Sequence, residues 1–244
     1  MEPDPDLELQ VAVAKVSKYA VSESGDTVEV IERPHGGLSL VMVDGQRSGK
    51  SAKAISNIVA RKAVSLLADG VRDGAAARAA HDYLRTLRSG QVSATLNIVS
   101  VDLTTRTIVI SRNSHCPVIV VHGAEGQLQL LDEPSQAIGI HTRTRPVITE
   151  LPIVADLHAV VYTDGILSAG ERYGQPIDAP EFVRAQLGTC SGETCARTLA
   201  DALLTHAIEL DRSRPADDIS VVVVSVVARQ QPDDVRRLSV RFPI

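Results

Sequence analysis

Aromatic side chains are nearly missing from this sequence. Its 244 residues contain no tryptophan, two phenylalanines and four tyrosines. With so few rings, a base-stacking platform for nucleic acid is excluded, and the core must be built from Val, Ile, Leu and Ala. Basic blocks are also missing. The formal charge is −5, which leaves no electrostatic footprint for nucleic acid or for an anionic membrane. Cysteine is scarce as well. Cys116, Cys190 and Cys195 form no CxxC pair, so neither a disulfide framework nor a zinc knuckle is indicated. No apolar run approaches the roughly 18 residues of a membrane span, and MEPDPDLELQ lacks the basic and apolar regions of a signal peptide. The expectation is a reduced, cytoplasmic, soluble protein with no nucleic-acid or membrane partner.

What the sequence does contain is patterned. A chain of this length can bury most of the surface its unfolded form exposes, and one domain over residues 1–244 is expected. Leu7, Leu9, Val11 and Val13 alternate with Glu8, Gln10 and Ala12 as in a half-buried strand. TVEVIE and LSLVMV, separated by Gly36-Gly37, read as a hairpin. Ala54, Ile55, Ile58, Val59, Ala63, Leu66 and Leu67 recur at helical spacing between Ser51 and Leu67, and a second helix is expected over about 75–87. Short β-branched segments follow: SATLNIVSVDL, TIVISRN, CPVIVVHG, QLQLLD, VITELP and HAVVYT. Helices are expected at about Pro180–Leu187 and Gly192–Leu210, the second offering Thr194, Ala196, Leu199, Leu203 and Ile208 to a core. ISVVVVSVV is apolar at nearly every position and should be a central strand covered on both faces. The tail from residue 229 to 244 is polar, and reads as an appended strand or a flexible end. Strands in hairpins with helices inserted in pairs predict an α+β fold of antiparallel sheets flanked by helices.

LVMVDGQRSGKSA, residues 40–52, raises the functional question. Strand, glycine loop and helix with Gly49-Lys50-Ser51 at the turn is how a phosphate-cradling P-loop reads. That motif needs its first glycine where this chain has Asp44, a carboxylate that would repel the anion. The regular strand-helix alternation of a P-loop enzyme is also missing. Acidic residues, however, mark four strand edges: Gly25-Asp26, Asp44-Gly45, Asp164-Gly165 and Asp217-Asp218. A single aspartate in such a place is ordinarily a turn residue or a helix cap. Four of them, each against a buried strand, would form an acidic cleft if the strand ends met. Clustered carboxylates raise one another's pKa, and hard divalent cations relieve that penalty. An all-oxygen donor set favours Mg²⁺ or Mn²⁺ over zinc, and two such ions can clamp a phosphoryl group for in-line attack.

These segments resemble the bacterial metal-dependent Ser/Thr protein phosphatases of type 2C, in the branch of the sporulation phosphatase and the stress phosphatases that control sigma factors. SGDTVEV resembles the family's first Gly-Asp motif, and VDGQRSGKSA its Asp-Gly-x-Gly-x-Gly-x-x-Ala motif. SATLNIVSVDLTTRTIVISRNSHCPVIVV resembles the central hairpin with its His-Pro turn. HAVVYTDGILSAG resembles the Tyr-Thr-Asp-Gly motif and ADDISVVVVSV the terminal Asp-Asp strand. The resemblance implies two central antiparallel sheets with helices outside, in four layers. It also implies two divalent cations, Mn²⁺ or Mg²⁺, and attack on phosphoserine or phosphothreonine by a metal-bridging hydroxide. By the same resemblance Asp44 bridges both metals, the Gly45 carbonyl binds one, Asp164 and Asp217 complete the first site, and Asp26 serves the second. The implied substrate is an anti-sigma-factor antagonist in a partner-switching circuit. The competing reading is a catalytically impaired module of the same fold that sequesters a partner.

The chain departs from the family pattern at two places. Arg47 stands where the second glycine of the Asp-Gly-x-Gly motif belongs. Arg47 and Lys50 read either as phosphate contacts or as solvated loop charges. Arg112-Asn113-Ser114 precedes His115 where relatives have Asn-Ala-Gly, and His115 reads either as a general acid or as a structural turn residue.

Overall fold

The computed structural model describes residues 7–123, 126–188, 195–229 and 235–241. Among these residues ten strands form two five-stranded sheets, and every strand pair is antiparallel. The first sheet has the order β1 (Leu7–Val16), β10 (Ile219–Ala228), β9 (Leu157–Tyr162), β6 (Val118–His122), β7 (Gln127–Leu131). The second has the order β2 (Asp26–Glu32), β3 (Leu38–Gly45), β4 (Ala94–Asp102), β5 (Thr107–Asn113), β8 (Val147–Pro152).

The apolar residues divide into three layers because neighbouring positions on a strand face opposite ways. Leu40, Met42, Val99, Ile110, Val120, Val161 and Val222 fill the space between the sheets. Val41, Val43, Leu96 and Ile98 face the other way, against α1 (Gly49–Ala68) and α2 (Asp73–Leu87). Ile119, Val121, Val160, Val221 and Val223 pack under α4 (Ala179–Leu187) and α5 (Cys195–Leu210). Two helix layers thus enclose two sheets, in the four-layer arrangement expected. β10 is central and buried from Ile219 to Val226, because it pairs on both edges and is covered on both faces.

The elements match the sequence reading apart from details. Leu7, Leu9 and Val11 face the inter-sheet layer, but Val13 is 41% exposed on β1, an edge strand with a neighbour on one side. Helix α1 starts at Gly49, two residues before the expected position, and α2 starts at Asp73. The expected helix start at Gly192 and the core position Thr194 lie outside the described residues, as do Cys190 and much of the tail beyond residue 229. Asp164 opens a four-residue helix, α3 (Asp164–Leu167), that the sequence did not announce. Among the described residues no helix is long and apolar enough to cross a membrane.

Candidate metal centre

The β2–β3 hairpin register sets the first two acids side by side. Asp26 pairs directly opposite Asp44. Asp44 shares its face with Leu40 and Met42, which point into the inter-sheet layer, so both carboxylates sit at the end of that layer. The other sheet supplies the rest. Asp164 follows the end of β9, and Asp217-Asp218 precede β10, the strand paired with β9. The four Asp-containing motifs therefore meet at one end of the sandwich.

Glycine is required where these strand ends pack closely. A Cβ at Gly45 would lie 2.1 Å from the Ala52 carbonyl oxygen, and one at Gly165 would lie 2.2 Å from the Asp218 carbonyl oxygen. Neither position has space for any side chain. Each Asp-Gly pair thus combines a ligand-type side chain with a neighbour that lets another segment close over it.

The acids are not equivalent. Asp26 is 1% exposed, and its Oδ2 accepts hydrogen bonds from Ser220 Oγ at 2.7 Å and Thr163 Oγ1 at 3.1 Å, both on the opposite sheet. Its Oδ1 is buried with no partner. Asp218 is also buried, but both of its oxygens are occupied. Oδ1 accepts from the Lys18 amide at 2.9 Å and Oδ2 from the Gly25 amide at 2.8 Å, which pins the segment between β1 and β2. Asp217 is half-buried and among the described residues accepts only the Asp218 amide, through Oδ1 at 2.9 Å. Of the adjacent pair, Asp218 is the structural anchor and Asp217 is the one with donor capacity left over.

Electrostatics follows from this crowding. Burial and then repulsion from Asp26, Asp164, Asp217 and Asp218 push the Asp44 carboxyl up to about 9. Burial pushes Asp26 up to about 6; the Ser220 hydroxyl works against the shift and Asp218 adds to it. Asp164 is raised by burial and then by Asp217, and His115 opposes this. Among the described residues no three carboxylate, imidazole or thiol side chains already converge as a closed ligand cage. The donor set nevertheless suits a hard cation: oxygen donors only, carboxylates that are costly to ionise alone, and an orphaned buried oxygen on Asp26.

Arg47 takes φ = 77°, the left-handed conformation that glycine would adopt without strain, and its side chain is exposed. The loop after Asp44 thus keeps a glycine-type backbone despite the substitution. Lys50 is exposed on the first turn of α1. The Arg112-Asn113-Ser114 departure is structural. Buried Arg112 donates to the carbonyls of Ser114 (2.7 Å) and Glu133, Asn113 Nδ2 donates to Gln136 O (3.0 Å), and Ser114 Oγ accepts from the Cys116 amide (3.1 Å). This framework presents His115, 60% exposed at its side chain, with Nε2 3.9 Å from Asp164 Oδ2. Cys116 itself is buried and its thiol is pushed up to about 12, so it is inert.

Four side chains that touch the cluster escaped sequence reasoning: Thr163, Ser220, Lys15 and Lys53. The hydroxyl of Ser220 had a signal, as a polar residue in an otherwise apolar strand. The two lysines had none.

The family model described as Stage II sporulation protein E (SpoIIE) matches residues 34–227. Among curated proteins no sequence match was found. Similar solved structures include the PP2C phosphatase domain with a regulatory-domain fragment of the cell fate determinant SpoIIE from Bacillus subtilis. It shares 18% identity over 93% of this chain and 65% of that chain, with a TM-score of 0.78. The RsbU and RsbW domains of a Mycobacterium tuberculosis protein share 18% identity over 93% of this chain and 62% of theirs, at a TM-score of 0.72. The catalytic domain of the serine threonine protein phosphatase PstP, solved with two manganese ions, shares 16% identity over 91% of this chain and 99% of that one, at 0.66. The chain therefore has the PP2C phosphatase fold and spans less than two thirds of the length of two of these three chains.

Proposed function

Because this chain belongs to the Stage II sporulation protein E (SpoIIE) family, we propose that it is a metal-dependent protein serine/threonine phosphatase. In this reading its described elements form one phosphatase domain, at work in the cytoplasm. Asp44 would serve two divalent cations, Mn²⁺ or Mg²⁺. The Gly45 carbonyl, Asp164 and Asp217 would help to hold one of them, and Asp26 the other. The observation that carries the reading is the buried, unpartnered Oδ1 of Asp26 beside an Asp44 carboxyl that burial and its neighbours make costly to ionise alone.

When bound, two such ions supply Lewis acidity and an activated water for in-line displacement at phosphorus. The chain's own contribution is placement. Thr163 and Ser220 fix the Asp26 carboxylate across the two sheets, Asp218 secures the segment leading into Asp26, and the close approach of Ala52 to Gly45 fixes the end of β3. The cluster's negative charge repels anions until cations are present, so phosphate recognition depends on loading.

The substrate proposed is a phosphoserine or phosphothreonine protein of the anti-sigma-factor antagonist class. The resemblance of the five motifs supports it, as does structural likeness to SpoIIE and to RsbU domains. The competing reading, an impaired binding module, draws on the open arrangement of the acids. The presence of all four ligand aspartates argues against it. Hydrolysis of p-nitrophenyl phosphate tests the choice. Activity should vanish with chelator and return with Mn²⁺ or Mg²⁺. Activity in metal-free protein, or recovery with zinc alone, would sink the two-metal reading, and no activity under any metal would favour the binding module.

A further inference from the structure

Two ammonium groups converge on one main-chain oxygen beneath the acidic cluster. Lys15, on β1 of one sheet, places Nζ 3.0 Å from Asp26 O, and Lys53, in the first turns of α1, places Nζ 2.7 Å from the same atom. Lys53 also donates to Thr27 Oγ1 at 2.9 Å. That hydroxyl is fixed in turn by Ser56 Oγ at 2.8 Å and Asn57 Oδ1 at 2.9 Å. Among the described residues neither lysine has an ion-pair partner at contact distance. Two like charges on one carbonyl repel each other, and burial together with Lys53 lowers the pKa of Lys15, while Asp26 and Asp218 hold it up. Such a pair persists only where nearby negative charge compensates for it, and the carboxylates of Asp26 and Asp218 supply that charge.

Resting on the metal-centre reading above, we propose that Lys15 and Lys53 are internal counter-cations. They stabilise the chain without metal and weaken the Asp26 end of the centre as a divalent-cation site. The Asp26 carboxylate has one oxygen committed to Thr163 and Ser220 and one open, Oδ1. A cation arriving at that oxygen meets two fixed positive charges at the same residue. The Asp44–Asp164–Asp217 side has no lysine held in this way among the described residues, so it fills first. Lys15 and Lys53 are positioning residues in this scheme, and set occupancy rather than touching phosphate.

The scheme has a sign that ordinary structural damage lacks. A lysine that merely supports the fold would, on removal, weaken both stability and metal binding. A counter-cation, on removal, lowers stability in chelator and tightens metal binding. Isothermal titration of Mn²⁺ into chelator-stripped full chain, with thermal melts in chelator, measures both. For wild type two unequal binding steps are expected. In Lys53→Met the weaker step should tighten by at least about 10-fold, the scale of one charge acting on a divalent cation about 6 Å away in a water-like dielectric. Its melting temperature in chelator should fall. Lys53→Arg should behave as wild type, since the charge is kept. Lys15→Met, on an edge strand, repeats the sign test should Lys53→Met not fold. Unchanged or weaker Mn²⁺ binding in the Met variants, or an Arg variant that matches Met, would overturn the proposal. A wild type that binds no Mn²⁺ would instead overturn the metal centre itself, and this inference with it.

Discussion

Replacing Asp44 by asparagine in metal-free protein should make the chain more stable. In the unfolded chain an aspartate ionises near 3.8, whereas in the fold Asp44 keeps its proton until about 9. A carboxyl raised in this way stabilises the fold fully below the unfolded value, and that contribution is lost as pH rises through the window between the two. At neutral pH about three units of the window have been crossed, each worth roughly 1.4 kcal/mol, which sets a ceiling of about 4 kcal/mol. Relaxation of the neighbouring acids reduces this, and a gain of about 1–4 kcal/mol is the expected range. Asp26, raised to about 6, adds a shallower loss between its unfolded value and that pH. The assay is urea unfolding in chelator at three pH values spanning 4 to 9. Wild type should lose stability steadily across the range, and Asp44→Asn should stay flatter, with the two converging near pH 4. Mn²⁺ should raise the melting temperature of wild type strongly and of Asp44→Asn little, because the amide offers only a neutral oxygen. Parallel pH profiles for the two proteins would refute the reasoning, since they would mean that Asp44 is solvated and pays no penalty for its neighbours.

Two further perturbations test the surroundings of the centre. Arg47→Gly should raise stability by about 0.5–1 kcal/mol, as relief of the left-handed strain outweighs the extra freedom glycine gives the unfolded chain; a lower urea midpoint would show that the Arg47 side chain makes a compensating contact. Asp218→Ala should cost about 3 kcal/mol by orphaning the Lys18 and Gly25 amides. Asp217→Ala should cost under about 1 kcal/mol yet abolish the Mn²⁺-induced rise in melting temperature, and the reverse pattern would exchange the roles assigned to the pair.

Much of the fold was legible because its signals are local. The run Ile219–Val227, apolar at every position but Ser220 and Ser225, reads as a strand covered on both faces, and the β2–β3 hairpin is written in its turn residues and flanking segments. The four acidic motifs were legible for the same reason, each being an aspartate beside a glycine or a second acid at a strand edge. What stayed hidden depends on residues far apart in the chain. Ser220 reaches Asp26 across 194 positions, and Thr163 across 137. Asp217 and Asp218 look alike in sequence, and only the distant amides of Lys18 and Gly25 tell them apart. Nothing in the sequence sets Lys15 and Lys53 apart until β1 and α1 are docked. Val13 follows a perfect alternation, and the edge position of its strand, a property of the whole sheet, leaves it exposed. Arg47 occupies the place of a motif glycine, and only the folded backbone shows that it takes the left-handed shape a glycine would.

Asp44 stands on one sheet, while Asp164 and Asp217 stand at strand ends of the other, so in the proposed metal centre the bite of these carboxylates would be set by the thickness of hydrocarbon between them. Met42 and Val222 are part of that spacer, and Met42 lies two residues along β3 from Asp44. In that proposed centre, ion preference would be adjustable from the dry interior. A thinner spacer would draw the carboxylates toward the short bonds of Mg²⁺, and a thicker one would let them relax toward the reach of larger ions. An aliphatic side chain that never meets water or substrate would then belong to the specificity of the centre as much as the oxygens do.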